Sequence, residues 1–127
     1  MGTDQIAEIA PGIREVVDGF AEDRDLCVTF EVTGEPDRWL QYTTGSINIA
    51  YPLDEDPASL PTRLGIDPLK SLALVDWAPR LFATFNIEAT LTVREIARII
   101  DAMFESTLGC AGWDYSVDVE IIELASG

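Results

Sequence analysis

The chain has 127 residues, of which 47% are hydrophobic, a size that suits one domain with its own core. Its 23 aspartates and glutamates outnumber its 8 lysines and arginines, giving a net charge of −15. This charge repels nucleic acids and anionic membrane surfaces, so neither is an expected partner. The absence of histidine from the sequence excludes catalytic sites with a histidine base and metal sites with histidine ligands.

No run in the sequence approaches the roughly 20 apolar residues of a membrane-spanning helix. The first ten residues carry acids where a secretory signal peptide needs basic residues. We therefore expect a cytoplasmic protein that forms a single domain over residues 1–127. Cys27 and Cys110 are too few for a disulfide scaffold and form no Cys-x-x-Cys pair, so we expect two free, unreactive thiols.

The N-terminal segment has the pattern of an amphipathic helix. Apolar residues recur at helical spacing from Ile6 to Phe20. Pro11 falls inside this pattern and removes one backbone hydrogen bond. Two alternatives follow: a helix kinked at Pro11, or a short turn followed by a helix that begins near Pro11.

Three segments with alternating apolar residues predict strands over residues 26–33, 38–43 and 46–51. In the first of them the even-numbered residues are apolar and should face the core. Residues 34–37 supply a turn. Thr44-Gly45 is either a tight turn or a glycine bulge within one long strand, and we favour the turn.

Residues 52–79 hold five of the seven prolines, so no long regular element is expected there. Asp56-Pro57 and Asp67-Pro68 each combine an N-cap residue with proline at the first helical position, which predicts two short helices. The second helix is expected to place three residues on the core: Leu69, Leu72 and Ala73.

The strongest pattern is a strand followed directly by a helix. Residues 81–89 alternate between apolar and other side chains, and residues 93–104 then carry an apolar stripe at helical spacing. Thr92 and Glu95 form a capping box, and Gly109 is a left-handed stop. Because a sheet face and a helix stripe this close in sequence can bury each other, this unit is expected to carry the core.

A final strand follows, in which apolar residues from Tyr115 to Ile121 alternate with mostly acidic ones. The order of elements predicts an α+β fold with two layers. We expect an antiparallel sheet of four to five strands with two main helices packed on one face.

Five residues are candidates for binding a partner. Arg94 and Arg98 lie one turn apart near the start of the last helix, where positive charge opposes the helix dipole. Either nearby acids neutralise them or they contact a partner. Trp39 and Trp77 are candidates for lining a shallow binding surface, and Phe82 should face away from the helices.

A homodimer is also expected. The sheet face away from the helices carries Phe82 and, depending on the register, Trp39 or Leu40, which is more apolar than a monomer usually exposes in one patch. A two-fold dimer would bury this patch. The net charge opposes the dimer, so it should tighten as salt screens the repulsion.

No cofactor, metal or catalytic site is predicted. Asp54, Glu55 and Asp56 lack the spacing and the glycine of a calcium loop. The sequence has no glycine-rich phosphate loop, dinucleotide fingerprint or nucleophile elbow. Pairs of carboxylates carry no signal, because 23 acids make chance pairs inevitable.

The stretch Arg38-Trp39-Leu40-Gln41-Tyr42, which enters the antiparallel strands, completes a resemblance to a known group of proteins. With the small size, the acidic charge and the order of elements, the chain resembles the superfamily of type III secretion chaperones and YbjN-like proteins. This resemblance implies an α+β domain that binds peptides or unfolded protein segments, often as a homodimer. In the secretion chaperones the last element is a helix, whereas here a strand follows the last helix, so no functional residue is transferred.

We therefore expect a non-enzymatic, chaperone-like module that binds a protein or peptide. The alternative is a small-molecule-binding or enzymatic α+β domain that uses carboxylates of the proline-rich region, and a structural subunit is a third possibility. A deep pocket lined by Asp54, Asp56 or Asp76 would favour the alternative. A flat apolar patch would favour the binding module.

Overall fold

The computed structural model describes residues 3–60, 72–88, 90–109 and 115–124. Within these ranges the chain forms two α-helices, six β-strands and one short 3₁₀ helix. In chain order they are α1 (Thr3–Ala21), β1 (Leu26–Val32), β2 (Glu35–Thr43), β3 (Ser46–Ala50), the 3₁₀ helix Pro57–Ser59, β4 (Leu72–Ala78), β5 (Phe82–Ile87), α2 (Val93–Ser106) and β6 (Val117–Glu123).

All six strands belong to one antiparallel sheet with the order β4-β5-β3-β2-β1-β6. Helix α1 lies on β1 and packs along α2. Buried side chains of both helices and of the sheet form one core. The predicted α+β two-layer fold is confirmed, although the sheet has six strands rather than four to five.

The additional strand is β4, which lies in the proline-rich connection where the sequence predicts no long element. All five prolines of residues 52–79 fall outside Leu72–Ala78, so none of them removes a hydrogen bond from the ladder. A tight turn joins β4 to β5, with Arg80 in the left-handed region at φ 61°. The high proline content of residues 52–79 as a whole therefore argued against a strand, although the seven residues that form β4 contain no proline.

The short helices predicted in this connection have different outcomes. The first is confirmed as the 3₁₀ helix Pro57–Ser59, where the Asp56 side chain accepts a hydrogen bond from the Ala58 N–H at 2.8 Å. The second, at Asp67-Pro68, and Leu69 lie outside the described residues. Leu72 is buried, as predicted, but in a strand. Ala73 is exposed, because it points to the opposite side of β4.

Two turns explain the register of the first three strands. Thr44-Gly45 is a tight turn, as favoured from the sequence, and Gly45 has φ 86°, which glycine adopts without steric cost. Thr33-Gly34 forms the other turn, so β2 begins at Glu35, earlier than predicted.

The predicted strand followed by a helix is confirmed, with a shorter strand, Phe82–Ile87, than the predicted residues 81–89, of which residue 89 lies outside the described residues. Alternate residues of β5 are buried, from Ala83 to Ile87. The Glu95 N–H donates to the Thr92 hydroxyl at 3.1 Å, and the Thr92 N–H donates to the Glu95 carboxylate at 2.9 Å. The Thr92 backbone N–H, and after it the Thr92 side chain, lower the pKa of the Glu95 carboxyl group below its ordinary value. Leu81, by contrast, precedes the strand and is 66% exposed.

The last turns of α2 meet the segment that leads into β6. The Tyr115 hydroxyl donates to the buried Asp101 carboxylate at 2.7 Å. Partial burial, followed by the charge and hydrogen bond of Asp101, raises the pKa of Glu105 one turn further on. Apolar residues alternate through β6 as predicted, but Val119 is exposed because this edge strand is only partly covered.

Helix α1 is continuous over Thr3–Ala21 with Pro11 inside it, which excludes a helix that begins near Pro11. Two of its glycines allow close contact with β1. A Cβ atom on Gly12 would lie 2.9 Å from Val28 Cγ2 and 3.2 Å from the Phe30 ring, and one on Gly19 would lie 2.6 Å from Leu26 Cδ1. In the described part of the chain, no helix has the length and apolarity to cross a membrane.

We expect Gly12→Ala to destabilise the protein more than Gly19→Ala. Alanine gains about 1 kcal/mol of helix propensity over glycine, whereas overpacking costs about 1–3 kcal/mol. At Gly12 the new methyl group meets the stiff, fully buried Val28, which has no room to move. At Gly19 it meets the Leu26 side chain, at 2.6 Å from Cδ1 and 3.1 Å from Cγ, and leucine can change rotamer more readily than the β-branched valine. Equilibrium urea unfolding of both variants measures the difference, and equal effects would contradict this account of the packing.

Candidate functional site

The open face, the side of the sheet that turns away from both helices, is the candidate site. Antiparallel strands place successive side chains on opposite sides, and α1 approaches the side that carries Val28 and Phe30. The pairing register places Trp39 on the open face and Leu40, which is fully buried, on the helix side. Of the two residues that the sequence left as candidates for this face, Trp39 lies on it and Leu40 does not.

A polar row crosses the middle of the open face. Its four members are cross-strand neighbours on β1, β2, β3 and β5: Thr29, Gln41, Asn48 and Thr84. The Gln41 amide donates to the Thr29 hydroxyl at 3.3 Å, the Asn48 amide donates to the Gln41 carbonyl at 3.4 Å, and the Thr84 hydroxyl donates to the Asn48 carbonyl at 3.0 Å. All four side chains are half-buried and form one chain of hydrogen bonds across four strands.

An aromatic row lies beside the polar row. It consists of Trp39, Ala50 and Phe82, because Leu40 pairs with Ile49 and Ala50 pairs with Phe82. A depression of about 230 Å³ adjoins this row. Its lining residues are Asp37, Trp39, Ala50, Tyr51, Pro52, Arg80 and Leu81. The row thus offers apolar surface for a partner's side chains.

A third row follows on the other side of the polar row. Its members on β1, β2, β3 and β5 are Cys27, Thr43, Ser46 and Asn86. Cys27 is a free thiol, and it is buried despite lying on the open face. Burial raises the pKa of this thiol, so little reactive thiolate forms at neutral pH. Cys110, the other predicted thiol, lies outside the described residues.

The centre of the open face is uncharged although the chain carries −15. The nine side chains that the three rows place on β2, β3 and β5 include no acid and no base. Acids stand at the ends of the polar row and at the β6 end of the aromatic row, whereas the third row ends on β6 at the exposed Ile122. Glu31, Asp118 and Glu120 lie at the β1–β6 end, and Asp76 lies at the β4 end.

The acids at the β1–β6 end, which we call the acid end, are crowded. Glu31 and Asp118 are directly opposite each other on neighbouring strands, and Glu120 lies on the same face two residues along β6. The Thr33 hydroxyl donates to Asp118 at 3.1 Å. Like charges directly opposite each other destabilise a strand pair, so we expect this arrangement to lower the stability of the isolated protein.

At both edges of the sheet, a side-chain carboxylate accepts a hydrogen bond from a backbone N–H group of the edge strand. At one edge the Val117 N–H donates to the Glu8 carboxylate at 3.3 Å. At the other, the Trp77 N–H donates to the Asp76 carboxylate at 2.9 Å. Edge N–H groups bonded in this way are less available to an added strand.

The five predicted partner-binding residues lie on two different surfaces. Trp39 and Phe82 share the aromatic row of the open face. Trp77 lies on the helix side, where its ring meets the Tyr51 ring edge-on at 6.1 Å. Arg94 and Arg98 are exposed on α2, in the helix layer. The structure therefore brings Trp39 and Phe82 together on the open face, and Arg94 and Arg98 together on α2, away from that face.

The polar row was missed in the sequence. Gln41, Asn48 and Thr84 come from three separate strands, and each resembles any solvent-facing residue. Alternation within each strand predicts their side of the sheet, but only the pairing register brings them together.

The acids of the proline-rich connection have local partners. Asp54 pairs with Arg80 at 2.8 Å on the surface, and Asp56 caps the 3₁₀ helix. The Tyr51 hydroxyl donates to the backbone carbonyl of Glu55 at 2.7 Å, a bond to the main chain and not to the acid. Three depressions on the described surface are lined by neither Asp54, Asp56 nor Asp76. Among the residues described, no group of three or more histidines, cysteines or acids is arranged to hold a metal ion.

No protein-family model, curated protein or solved structure matches the chain. The geometry of the open face is therefore the basis on which a function is proposed.

We expect Glu31→Gln to raise the stability of the protein by about 0.5 kcal/mol, because it removes a like-charge contact with Asp118. The gain should shrink at high salt, which screens exposed charges. Glu15→Gln is the matched control, since Glu15 is an exposed acid on α1. Urea unfolding at low and high salt measures both variants. An equal gain from Glu15→Gln would mean that net charge, and not the opposed pair, is responsible.

Proposed function

We propose that this protein is a non-enzymatic, chaperone-like module that binds an extended protein or peptide segment on its open face. One observation carries the proposal: the centre of this face combines an uncharged row of amides and hydroxyls with Trp39 and Phe82, in a chain with a net charge of −15. Within the three rows, charge lies only at the ends, although the exposed Asp37 lines the depression beside Trp39. Solubility alone would not require an uncharged centre.

The chemistry of the two rows suits a peptide. Gln41 and Asn48 each have two N–H groups and an acceptor oxygen, so the bonds within the polar row use only part of their capacity. Peptide backbones offer the matching donors and acceptors at every residue. Trp39 and Phe82 offer apolar surface for side chains, and aromatic residues dominate the energetics of many interfaces.

The sheet edges favour binding on the face over addition of a strand. Glu8 and Asp76 each occupy an edge N–H, and an added strand would have to displace these carboxylates. The resemblance to the secretion chaperones and YbjN-like proteins supports the same class of partner. The alternative function, based on acids of the proline-rich connection, has less support because Asp54 and Asp56 already serve local structure.

A second copy of the chain is the other candidate occupant of the open face, in line with the predicted homodimer. A face-to-face pair would bury the aromatic rows of both copies. It would also bring together the acids that stand at the row ends of each copy. The salt dependence of self-association therefore distinguishes this occupant from a peptide.

We expect Trp39→Ala combined with Phe82→Ala to weaken binding of apolar, uncharged peptides by about ten-fold or more, because truncating an aromatic residue at an interface centre costs on the order of 1 kcal/mol and about 1.4 kcal/mol is a factor of ten in affinity. Fluorescence anisotropy with a panel of labelled peptides measures the affinity. Phe20→Ala is the matched control, because Phe20 is 60% exposed on α1, away from the open face. Equal weakening by the control, or no binding by the unaltered protein, would overturn the proposed function.

We expect self-association through the open face to strengthen as salt increases, since salt screens the acids but not the apolar contact. Sedimentation of the unaltered protein and of the Trp39→Ala/Phe82→Ala variant, at low and high salt, measures it. Loss of the dimer in the variant would place the dimer on the open face. A monomer at both salt concentrations, well above micromolar protein, would remove the homodimer.

A further inference from the structure

We infer that the partner segment lies across the strands in one direction, with basic side chains over the acid end and apolar side chains over β3 and β5. This inference rests on the proposed function and adds the partner's chemistry and orientation. It follows from an asymmetry of the open face: three acids stand at the β1–β6 end, whereas Asp76 alone among the described residues of the three rows stands at the β4 end.

The rows set the direction of the segment. Side chains of the polar row are hydrogen-bonded from strand to strand, so the row offers its donors and acceptors along a line perpendicular to the strands. Extended by the register to Glu120 and Asp76, this line crosses all six strands. Five gaps of about 4.8 Å give about 24 Å, which an extended segment of about seven residues covers.

The acid end favours basic side chains. Glu31 lies between Asp118 on β6 and Trp39 on β2, its direct neighbours across the strands. A lysine or arginine bound there would relieve the repulsion between Glu31 and Asp118. Its stem would pack on Trp39, and its charge would be attracted by the ring and by the carboxylates.

The other part of the open face favours apolar side chains. Ala50 and Phe82 continue the aromatic row onto β3 and β5. The exposed Leu81 lines the adjoining depression, together with Asp37 and Arg80 at its rim. A segment that places apolar residues here and basic residues over the acid end would match both the shape and the charge of the surface.

Three labelled synthetic peptides of about nine residues test the orientation. The block peptide has lysines at one end and leucines at the other, separated by serines. The mixed peptide has the same composition with lysines and leucines alternating, and the neutral peptide has glutamine in place of lysine. A photo-crosslinker at either end of the block peptide reports where that end lies.

Two protein variants with the same change in net charge complete the test. The acid-end variant is Glu31→Gln, Asp118→Asn and Glu120→Gln. The control variant is Glu15→Gln, Asp18→Asn and Glu22→Gln, which removes three exposed acids from α1 and the turn that follows it.

We expect the block peptide to bind the unaltered protein more tightly than the mixed or neutral peptide. The acid-end variant should weaken its binding by about three-fold or more, since each exposed charge pair contributes a modest factor. The control variant should weaken it less, and the neutral peptide should bind all three proteins equally. Crosslinks from the lysine end should fall in β1 and β6, and those from the leucine end in β3 and β5.

Other outcomes overturn the inference in distinguishable ways. If the neutral peptide binds in a manner that depends on Trp39 and Phe82, but block and mixed peptides bind equally, the orientation is wrong and the proposed function stands. If both variants weaken the block peptide equally, the attraction is to net charge and not to the acid end. If none of the peptides binds, the inference and the proposed function fail together.

Discussion

Burial of one side of the sheet under two helices is the constraint on which the other features of this protein depend. Gly12 lets α1 approach β1 closely, and Val28 and Phe30 are fully buried beneath it. Because strand residues alternate between sides, the orientation of Phe30 also decides that of Thr29 and Glu31. Each pairing then carries this choice to the next strand. The open face is therefore a consequence of core packing, and its three rows have the register that the core imposes.

Sequence patterns predicted the elements whose residues carry their own signals. The capping box of Thr92 and Glu95 and the alternation in β1 and β5 depend on neighbours within one segment, and all three are confirmed. Strand β4 was not predicted, because the five prolines of residues 52–79 argued against any regular element there, although none of them lies in β4 itself. The site was less predictable than the fold. Trp39 and Phe82 are conspicuous in any sequence, whereas Gln41 and Asn48 gain significance only when pairing brings them together.

The distribution of acids on the open face is unfavourable for stability and favourable for binding a basic partner. A strongly acidic chain lowers its self-repulsion by spreading its acids. Yet Glu31 and Asp118 face each other on adjacent strands, while the nine side chains that the three rows place on β2, β3 and β5 hold no charge. The stability of the protein without a partner does not explain why these acids lie opposite each other. A basic partner does, because it would turn a repulsive pair into an attractive site. The same acids would repel the acids of a second copy of the chain. They therefore favour a basic peptide over a second copy as the occupant of the open face.

The hydrogen bonds within the polar row bear on how selective such binding would be. Because Thr84, Asn48 and Gln41 hold one another in place, their side chains lose little further freedom when a partner binds, which lowers the entropic cost of binding. Their remaining donors and acceptors match groups that every peptide backbone contains, so they do not discriminate between sequences. Only the acid end and the depression beside Trp39 would distinguish one peptide sequence from another. A surface of this kind would accept many segments that share a charge pattern, which is the selectivity a chaperone-like module requires.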